Sequence, residues 1–439
     1  MRRRTHYSNN VGELEDGRDV VVQGWVSKIR DLGSLKFLIL RDFHGFLQIT
    51  AKKGVVDEKV LQTFDELKEE DVITVTGTVH HIASAPGGVE VEPKEIEVVS
   101  KVLERLPIAT SGVIEPNLDV RLDNRVLDLR RPENAAVIKI QSKIVEGMTS
   151  FLRSKGFIQV FTPCLMGVAA EGGAEVFPVL YYNKTATLRQ DPQLHRQLMI
   201  ASGFEKLFDL GPSWRAEASH TPRHLSEHRT CAVEMAFIES EADIMKLEED
   251  LVVSVLQTVA KECQDELKLL GKEIEIPTTP FPELRFPKIY DILLEFGKNI
   301  PFGADIDRES EIILAKYVKE KYKSDFFFEN RFPSAVKPFY VMKVDEEPQW
   351  ARSIDLVYKG LEQSSGGQRE HRYEKLLKQV EEKGMHLEDV KWFVDVFKYG
   401  VPPHGGFSIG IERLTMKLLD LSNVREATPF PRSPERLVP

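Results

Sequence analysis

The sequence predicts an α+β protein made of a small N-terminal β-barrel and a larger domain with an antiparallel sheet flanked by helices. Three observations lead there. Short β-rich runs punctuated by Gly and Asp fill residues 17–100. Beyond residue 135, strand-like and helical stretches follow one another with no regular βαβ period. The chain has 439 residues, 42% hydrophobic and 29% charged, enough for two or three domains with ordinary cores.

The β-rich runs are 20–26, 35–40, 45–50, 71–79 and 89–99, with a helix-compatible stretch, 57–69, between the third and fourth. Five strands with a helix in that place match an OB barrel, although another small barrel or sandwich would share the pattern. Residues 1–104 are assigned to this domain. Residues 105–134 carry little periodicity; Pro107, Gly112, Pro116 and Pro132 break them up, and Arg121, Arg125, Arg130 and Arg131 add charge, so they read as a hinge. The third part, 135–439, opens on a long helix. In it Val137, Ile140, Ile144, Val145, Met148, Phe151 and Leu152 recur near 3.6-residue spacing, and Gly156 closes it. Strands are expected at 157–161, 176–182, 207–211, 231–238, 338–343, 352–358 and 404–409. Helices are expected near 190–202, 242–268, 307–322, 369–384, 386–398 and 411–419.

Composition excludes several classes. The net charge of −10 (59 basic, 69 acidic residues) argues against a uniformly basic nucleic-acid binder but leaves room for a local basic face. No apolar run approaches the ~18 residues a membrane-spanning helix needs. The basic N-terminus is followed by no apolar core, so no secretory signal is expected. Cys164, Cys231 and Cys263 have neither disulfide-framework nor zinc spacing, which suits a reducing, cytoplasmic setting. Neither G-x-G-x-x-G nor G-x-x-x-x-G-K-[ST] occurs, so a nucleotide is not held in the Rossmann or P-loop manner.

Three segments could do chemistry. The first holds Arg215 and Glu217, then Arg223, His224 and Leu225, then Glu234, and reads as strand, polar loop, strand. A fixed guanidinium suits a phosphate oxygen, although an Arg–Glu pair on a sheet face has the same signature. The second is 360–370, where Glu362 and Ser365 offer oxygen ligands to Mg²⁺, Gly366 and Gly367 would let backbone approach a ligand, and Arg369 could clamp a carboxylate. A solvated Ser/Gly loop is the plain alternative. The third is 402–414: a strand bounded by glycines, then a helix starting near Ile411 with Arg413 in its first turn. A cation is unwelcome there unless an anion binds; otherwise it pairs with Glu412 or Asp420.

Together these motifs resemble the class II aminoacyl-tRNA synthetases, most closely the aspartyl-tRNA synthetases of archaeal and eukaryotic kind. Residues 156–163 (GFIQVFTP) are similar to motif 1, Arg215-Ala216-Glu217 with Arg223-His224-Leu225 and Glu234 to motif 2, and Gly410-Ile411-Glu412-Arg413 to motif 3. Residues 121–132 resemble the family's linker, and Glu171-Gly172-Gly173 and 364–371 resemble its aspartyl branch. The resemblance spans nearly the whole chain. It implies a homodimer that joins L-aspartate to ATP as an adenylate and passes it to tRNA(Asp). It also implies that Arg215 and Arg413 are catalytic, and that ATP is held by Arg215, Glu217, Arg223, His224, Leu225, Glu362, Gly410, Ile411, Glu412 and Arg413. Mg²⁺ would sit on Glu362 and Ser365. The amino acid would meet Glu171, Asp191, Gln193, Arg196, Arg215, Ser365 and Arg369.

The chain departs from the family in that pocket. Where relatives usually read Gln-Ser-Pro-Gln-x-x-Lys, residues 190–196 read QDPQLHR, so Asp191 replaces a serine and Arg196 the lysine that binds the substrate side chain. Two residues before Glu234 relatives carry Asp; here stands Ala232. Either a carboxylate lost at 232 reappears at 191, or the pocket takes another amino acid, or the changes are neutral. In the barrel, Phe37 and Gln48 match positions that stack on and read anticodon bases. Relatives restricted to tRNA(Asp) carry Trp at the position of Ser27 and Lys at that of Pro86, which implies a nondiscriminating enzyme that also charges tRNA(Asn). Two other readings stay open: a paralogue that activates a different amino acid or makes a free amide, and a non-catalytic RNA-binding protein.

Overall fold

The computed structural model describes residues 2–112, 116–167, 176–216 and 221–439. The chain divides into two compact units, Met1–Pro132 and Glu133–Pro439.

The first unit is a closed five-stranded barrel. Strands β1 (Asp19–Asp31), β2 (Leu35–Arg41), β3 (Phe46–Lys52), β4 (Val72–His81) and β5 (Val89–Ser100) close in the order β1-β2-β3-β5-β4. β1 pairs with both β2 and β4, and a bulge after Val26 bends it enough to do so. Alternate residues point inward: Val20, Val22, Leu38, Leu40, Leu47 and Ile49 are all buried. The helix Glu58–Glu66, capped by Asp57 accepting from the Lys59 amide, adds Val60, Leu61 and Phe64 to the same core.

The segment read as a hinge is more structured than expected. Residues Leu118–Asp123 and Arg125–Asp128 form helical turns within the first unit. Their arginines are buried rather than solvated: Arg121 Nε lies 2.9 Å from Asp128 Oδ1 and Arg125 Nη1 2.5 Å from Oδ2. Turns this short leave no apolar periodicity to read. Glu70, 2% exposed, has a similar role: it accepts from Arg41 at 2.9 and 2.8 Å, from Thr110 at 2.6 Å and from Arg130 at 2.8 Å.

The second unit is built on an eight-stranded sheet in the order β12-β13-β14-β15-β16-β11-β10-β6. These strands are β6 (Ile158–Val160), β10 (Lys206–Trp214), β11 (Glu227–Ala236), β12 (Glu283–Arg285), β13 (Phe326–Asn330), β14 (Ser353–Tyr358), β15 (Leu361–Arg369) and β16 (His404–Gly410). The middle is antiparallel and each edge strand pairs in parallel. A small sheet joins β7 (Leu165–Met166), β9 (Lys184–Leu188) and β8 (Pro178–Tyr181). The helix Pro132–Ser154 buries Val137, Ile140, Ile144 and Met148, and Gly147 lets it pack closely on Val255 and Thr258 of helix Glu241–Glu262. Ser240 and Asp243 form a capping box at the start of that second helix.

Several elements differ from expectation. β15 is a central strand, not a Ser/Gly loop, because its small residues are what its neighbours require (below). β13, Phe326–Asn330, is buried throughout, so it lacks the alternation that marks a half-exposed strand. Residues 338–343 make only isolated bridges at Val341 and Lys343.

Glu70 yields a stability prediction. Burial alone would raise its pKa, but Arg41, Thr110 and Arg130 together hold it below its ordinary 4.5. A depressed carboxyl stabilises the fold above the unfolded pKa and loses that contribution as pH falls through the folded one. Glu70→Ala strands Arg41 and Arg130, so it should cost about 3 kcal/mol, read by denaturant unfolding at pH 7. The gap from wild type should shrink below pH ~4.

Candidate active site

The C-terminal end of β10, the start of β11 and the faces of β15 and β16 enclose a cleft of about 1220 Å³, counting its open mouth. Glycine makes this part of the sheet close. A Cβ on Gly366 would overlap the Gly406 carbonyl oxygen, and one on Gly406 would overlap that of Val233. Gly366 and Gly367 thus admit neighbouring backbone, and Gly366 also lines the cleft.

β15 carries a bulge. Its register against β14 slips between Leu356 and Val357, leaving Gln363 as the extra residue. Residues three apart normally face opposite sides of a sheet. The extra residue brings Glu362 and Ser365 to one side, and both line the cleft. Ser364 turns away and donates to Glu248 in the core.

One half of the cleft is a buried network of paired charges. Arg369 Nε donates to Glu234 Oε1 at 2.9 Å, and its Nη2 to Gln193 Oε1 and the Gly406 carbonyl, both at 3.0 Å. Gln193 Nε2 donates to Glu234 Oε2 at 3.0 Å. Burial opposes ionising Glu234, but Arg369 and Arg196 hold its pKa down. Arg196, wholly buried, donates to Asp191 Oδ1 and Gln193 Oε1, each at 2.5 Å. It is absent from the cleft wall, whereas Asp191, Gln193 and Arg369 line it. The longer, forked side chain folds back onto Asp191 and Gln193, so Arg196 stands behind the cleft wall. Burial would raise the pKa of Asp191; Arg196 overrides this and lowers it. Ala232 sits directly across from Asp209, which pairs with Arg189 at 3.2 Å.

The other half is cationic. Arg215 follows β10 rather than lying in it, and its amide donates to the Ser226 carbonyl. The strand placement expected for it is thus corrected. Arg223, His224 and Leu225 line the cleft from the following loop, where Thr221 holds His224 Nδ1 at 2.7 Å. Arg413 projects from the first turn of helix Ile411–Leu418, with Nη1 3.8 Å from Glu362 Oε1. Its partner is thus neither Glu412 nor Asp420: Glu412 accepts the Arg229 amide, and Asp420 pairs with Lys272 and Lys359. Burial, then Arg215 and Arg413, push His228 down to about 3. Burial, then Arg308 and with Arg413 adding, likewise lowers Arg223. Cations crowded to this degree call for a polyanion. Gly410 and Glu412 line the cleft, but Ile411 is packed in the core. Glu171 and Glu217 lie outside the described residues.

Sequence reading missed Glu329, Lys337 and Asp355. Asp355 is buried opposite Ser365, with Lys337 Nζ 3.0 Å from its Oδ2. Its signal was available: Ile354-Asp355-Leu356 places a charge within an apolar strand. In the barrel, Phe37 and Gln48 stand on one outer face, Phe37 opposite Thr50 and Gln48 bonded to Glu90 at 2.8 Å. Phe37 is half-buried and not core. Ser27 occupies the β1 bulge and is buried, and Pro86 is exposed in the turn Pro86–Gly88.

Comparison with known proteins agrees with this architecture. Residues 117–434 match the family described as tRNA synthetases class II (D, K and N), and residues 20–99 match the OB-fold nucleic acid binding domain. The aspartate–tRNA(Asp) ligase of Pyrococcus horikoshii is 45% identical over 99% of this chain and 100% of its own. The aspartate–tRNA(Asp/Asn) ligase of Methanopyrus kandleri is 43% identical over 99% of each chain. Among solved structures, the asparaginyl-tRNA synthetase of Pyrococcus horikoshii with asparaginyl-adenylate superposes with a TM-score of 0.91 at 33% identity, covering all of both chains. With the OB barrel, the glycine-packed sheet and the arginine-lined cleft in place, the chain belongs to the class II tRNA synthetase family (D, K and N).

Proposed function

We propose that the protein is an aspartate–tRNA ligase that uses ATP and Mg²⁺ and charges both tRNA(Asp) and tRNA(Asn). The observation that carries this reading is the two-sided cleft. A buried Arg369–Glu234–Gln193 clamp fit for a small zwitterion lies beside a cationic wall fit for a triphosphate. Full-length relatives named for aspartate support the amino acid.

In this reading Arg215 holds the substrate α-carboxylate against the α-phosphate. The carboxylate oxygen bonds to phosphorus as the bond to pyrophosphate breaks, and the electron pair leaves with pyrophosphate. Arg223 and Arg413 take the charge on the distal phosphates. The terminal ribose hydroxyl of tRNA then attacks the activated carbonyl and releases AMP. Positioning and charge stabilisation do the work, with no covalent nucleophile. The donor set fits Mg²⁺: Glu362 and Ser365 offer oxygens to the cleft, and Asp355, buried opposite Ser365, keeps Oδ1 without a hydrogen-bond partner. When bound, the metal would neutralise phosphate charge.

A homodimer is part of the proposal. Phe161 and Leu180 (each 83% exposed) and Tyr182 (85%) flank edge strand β6 and the small sheet, an apolar face suited to a second copy. No helix among the described residues is long and apolar enough to cross a membrane. With all three cysteines free, a cytoplasmic site of action is proposed. The Asp191–Arg196 pair favours a second reading, a different amino acid, because an internal carboxylate cancels the charge that relatives use for the substrate side chain.

Three tests follow from this reading. ATP–pyrophosphate exchange with each amino acid in turn should respond to aspartate above all; a stronger response to another amino acid sinks the aspartate assignment. Arg413→Ala should slow adenylate formation at least about tenfold, since a charged hydrogen bond contributes about 1.5–3 kcal/mol; near-normal exchange removes Arg413 from the site. Purified tRNA(Asp) and tRNA(Asn) transcripts should be charged within about tenfold of each other, under ~1.4 kcal/mol. Exposed Pro86 has no amide donor and Ser27 is too short to stack, so Ser27→Trp with Pro86→Lys should penalise tRNA(Asn) alone.

A further inference from the structure

Strand register draws a polar row across the sheet. Glu329 pairs with Asp355, Asp355 with Ser365, and Ser365 with Ser408, so the four side chains share one face. Glu329 and Asp355 are 3% and 7% exposed, and each keeps one carboxylate oxygen, Oε1 and Oδ1, without a hydrogen-bond partner. Asp355 has a cation beside it. The cation in place is Lys337. It comes from the loop between β13 and β14, lies over the Phe332 ring with Nζ 3.6 Å from the centroid, and puts Nζ 3.0 Å from Asp355 Oδ2. Its side chain is 11% exposed and lines the cleft beside Glu362 and Ser365.

Lys337 thus holds a carboxylate assigned above to the metal. Among the described residues, no three His, Cys, Asp or Glu side chains cluster closely enough to hold a metal by themselves. Mg²⁺ bound through one or two carboxylates takes its remaining ligands from water and substrate phosphates. An ammonium on Asp355 Oδ2 and a divalent ion on Oδ1 of the same carboxylate repel each other at low dielectric, so each weakens the other's hold. We propose that Lys337 competes with the divalent metal for Asp355 in the nucleotide-free protein and leaves it for the phosphates of incoming ATP, so that metal and nucleotide bind as one. Lys337 thereby keeps the site from filling with metal alone. The proposal rests on the reading of Asp355 and Glu362 as metal ligands.

The test is Mn²⁺ binding to the full-length protein, followed by electron paramagnetic resonance, with and without a non-hydrolysable ATP analogue. Wild type should bind Mn²⁺ weakly alone and at least tenfold more tightly with the analogue. Lys337→Met should bind Mn²⁺ alone at least tenfold more tightly than wild type. Lys337→Gln serves as a second variant should the first misfold, and Lys337→Arg should stay weak. Adding Asp355→Asn to Lys337→Met should abolish the gain. A Lys337→Met or Lys337→Gln affinity within twofold of wild type overturns the proposal while leaving the metal assignment standing. Asp355→Asn with no effect on Mn²⁺ binding in the presence of the analogue overturns both.

Discussion

The cleft depends on two opposite charges buried side by side, Arg369 at the end of β15 and Glu234 on β11. β16 runs between these strands, and its Gly406 is what lets the pair meet across it: a side chain there would collide with both Val233 and Glu234. Gln193 ties the pair to helix Gln193–Ala201, and Arg196 ties Gln193 to Asp191. Removing one partner of such a pair leaves an unpaired buried charge and costs about 3–5 kcal/mol, so the chain cannot alter one member alone. Asp191 and Arg196 are a matched pair: the buried cation takes its anion from the residues just before its own helix.

The cationic half works on the opposite principle. Charges in the other half are paired within the protein, whereas Arg308 and Arg413 press on Arg223, and burial, then Arg215 and Arg413, hold the pKa of His228 down. Like charges gathered by a rigid frame favour a polyanion and need no reorganisation when it arrives. The frame is the bulged strand β15 and the first turn of helix Ile411–Leu418. One fixes Glu362 and Ser365, the other fixes Arg413.

The barrel uses the same economy in another setting. Its inner positions are apolar and close-packed, so the outer face is free to vary. Phe37, Gln48, Thr50 and Glu90 lie on that face, where Glu90 accepts hydrogen bonds from both Gln48 and Thr50.

By itself, the sequence determined the barrel, the long amphipathic helix, the arginines that meet in the cleft and the peculiarity of residues 191, 196 and 232. Periodicity, turn residues and motif spacing are local quantities, and a linear reading registers them. It could not show that residues 361–369 are a strand, because Ser and Gly look like loop until the neighbouring backbones that need small residues are known. It could not turn Arg196 away from the cleft, since only packing against Asp191 and Gln193 decides which way a guanidinium points. Nor could it join Glu329, Lys337 and Asp355, separated by 8 and 18 residues, into one site. Strand register and a loop folded over the sheet bring them together, and those are properties of the tertiary structure alone.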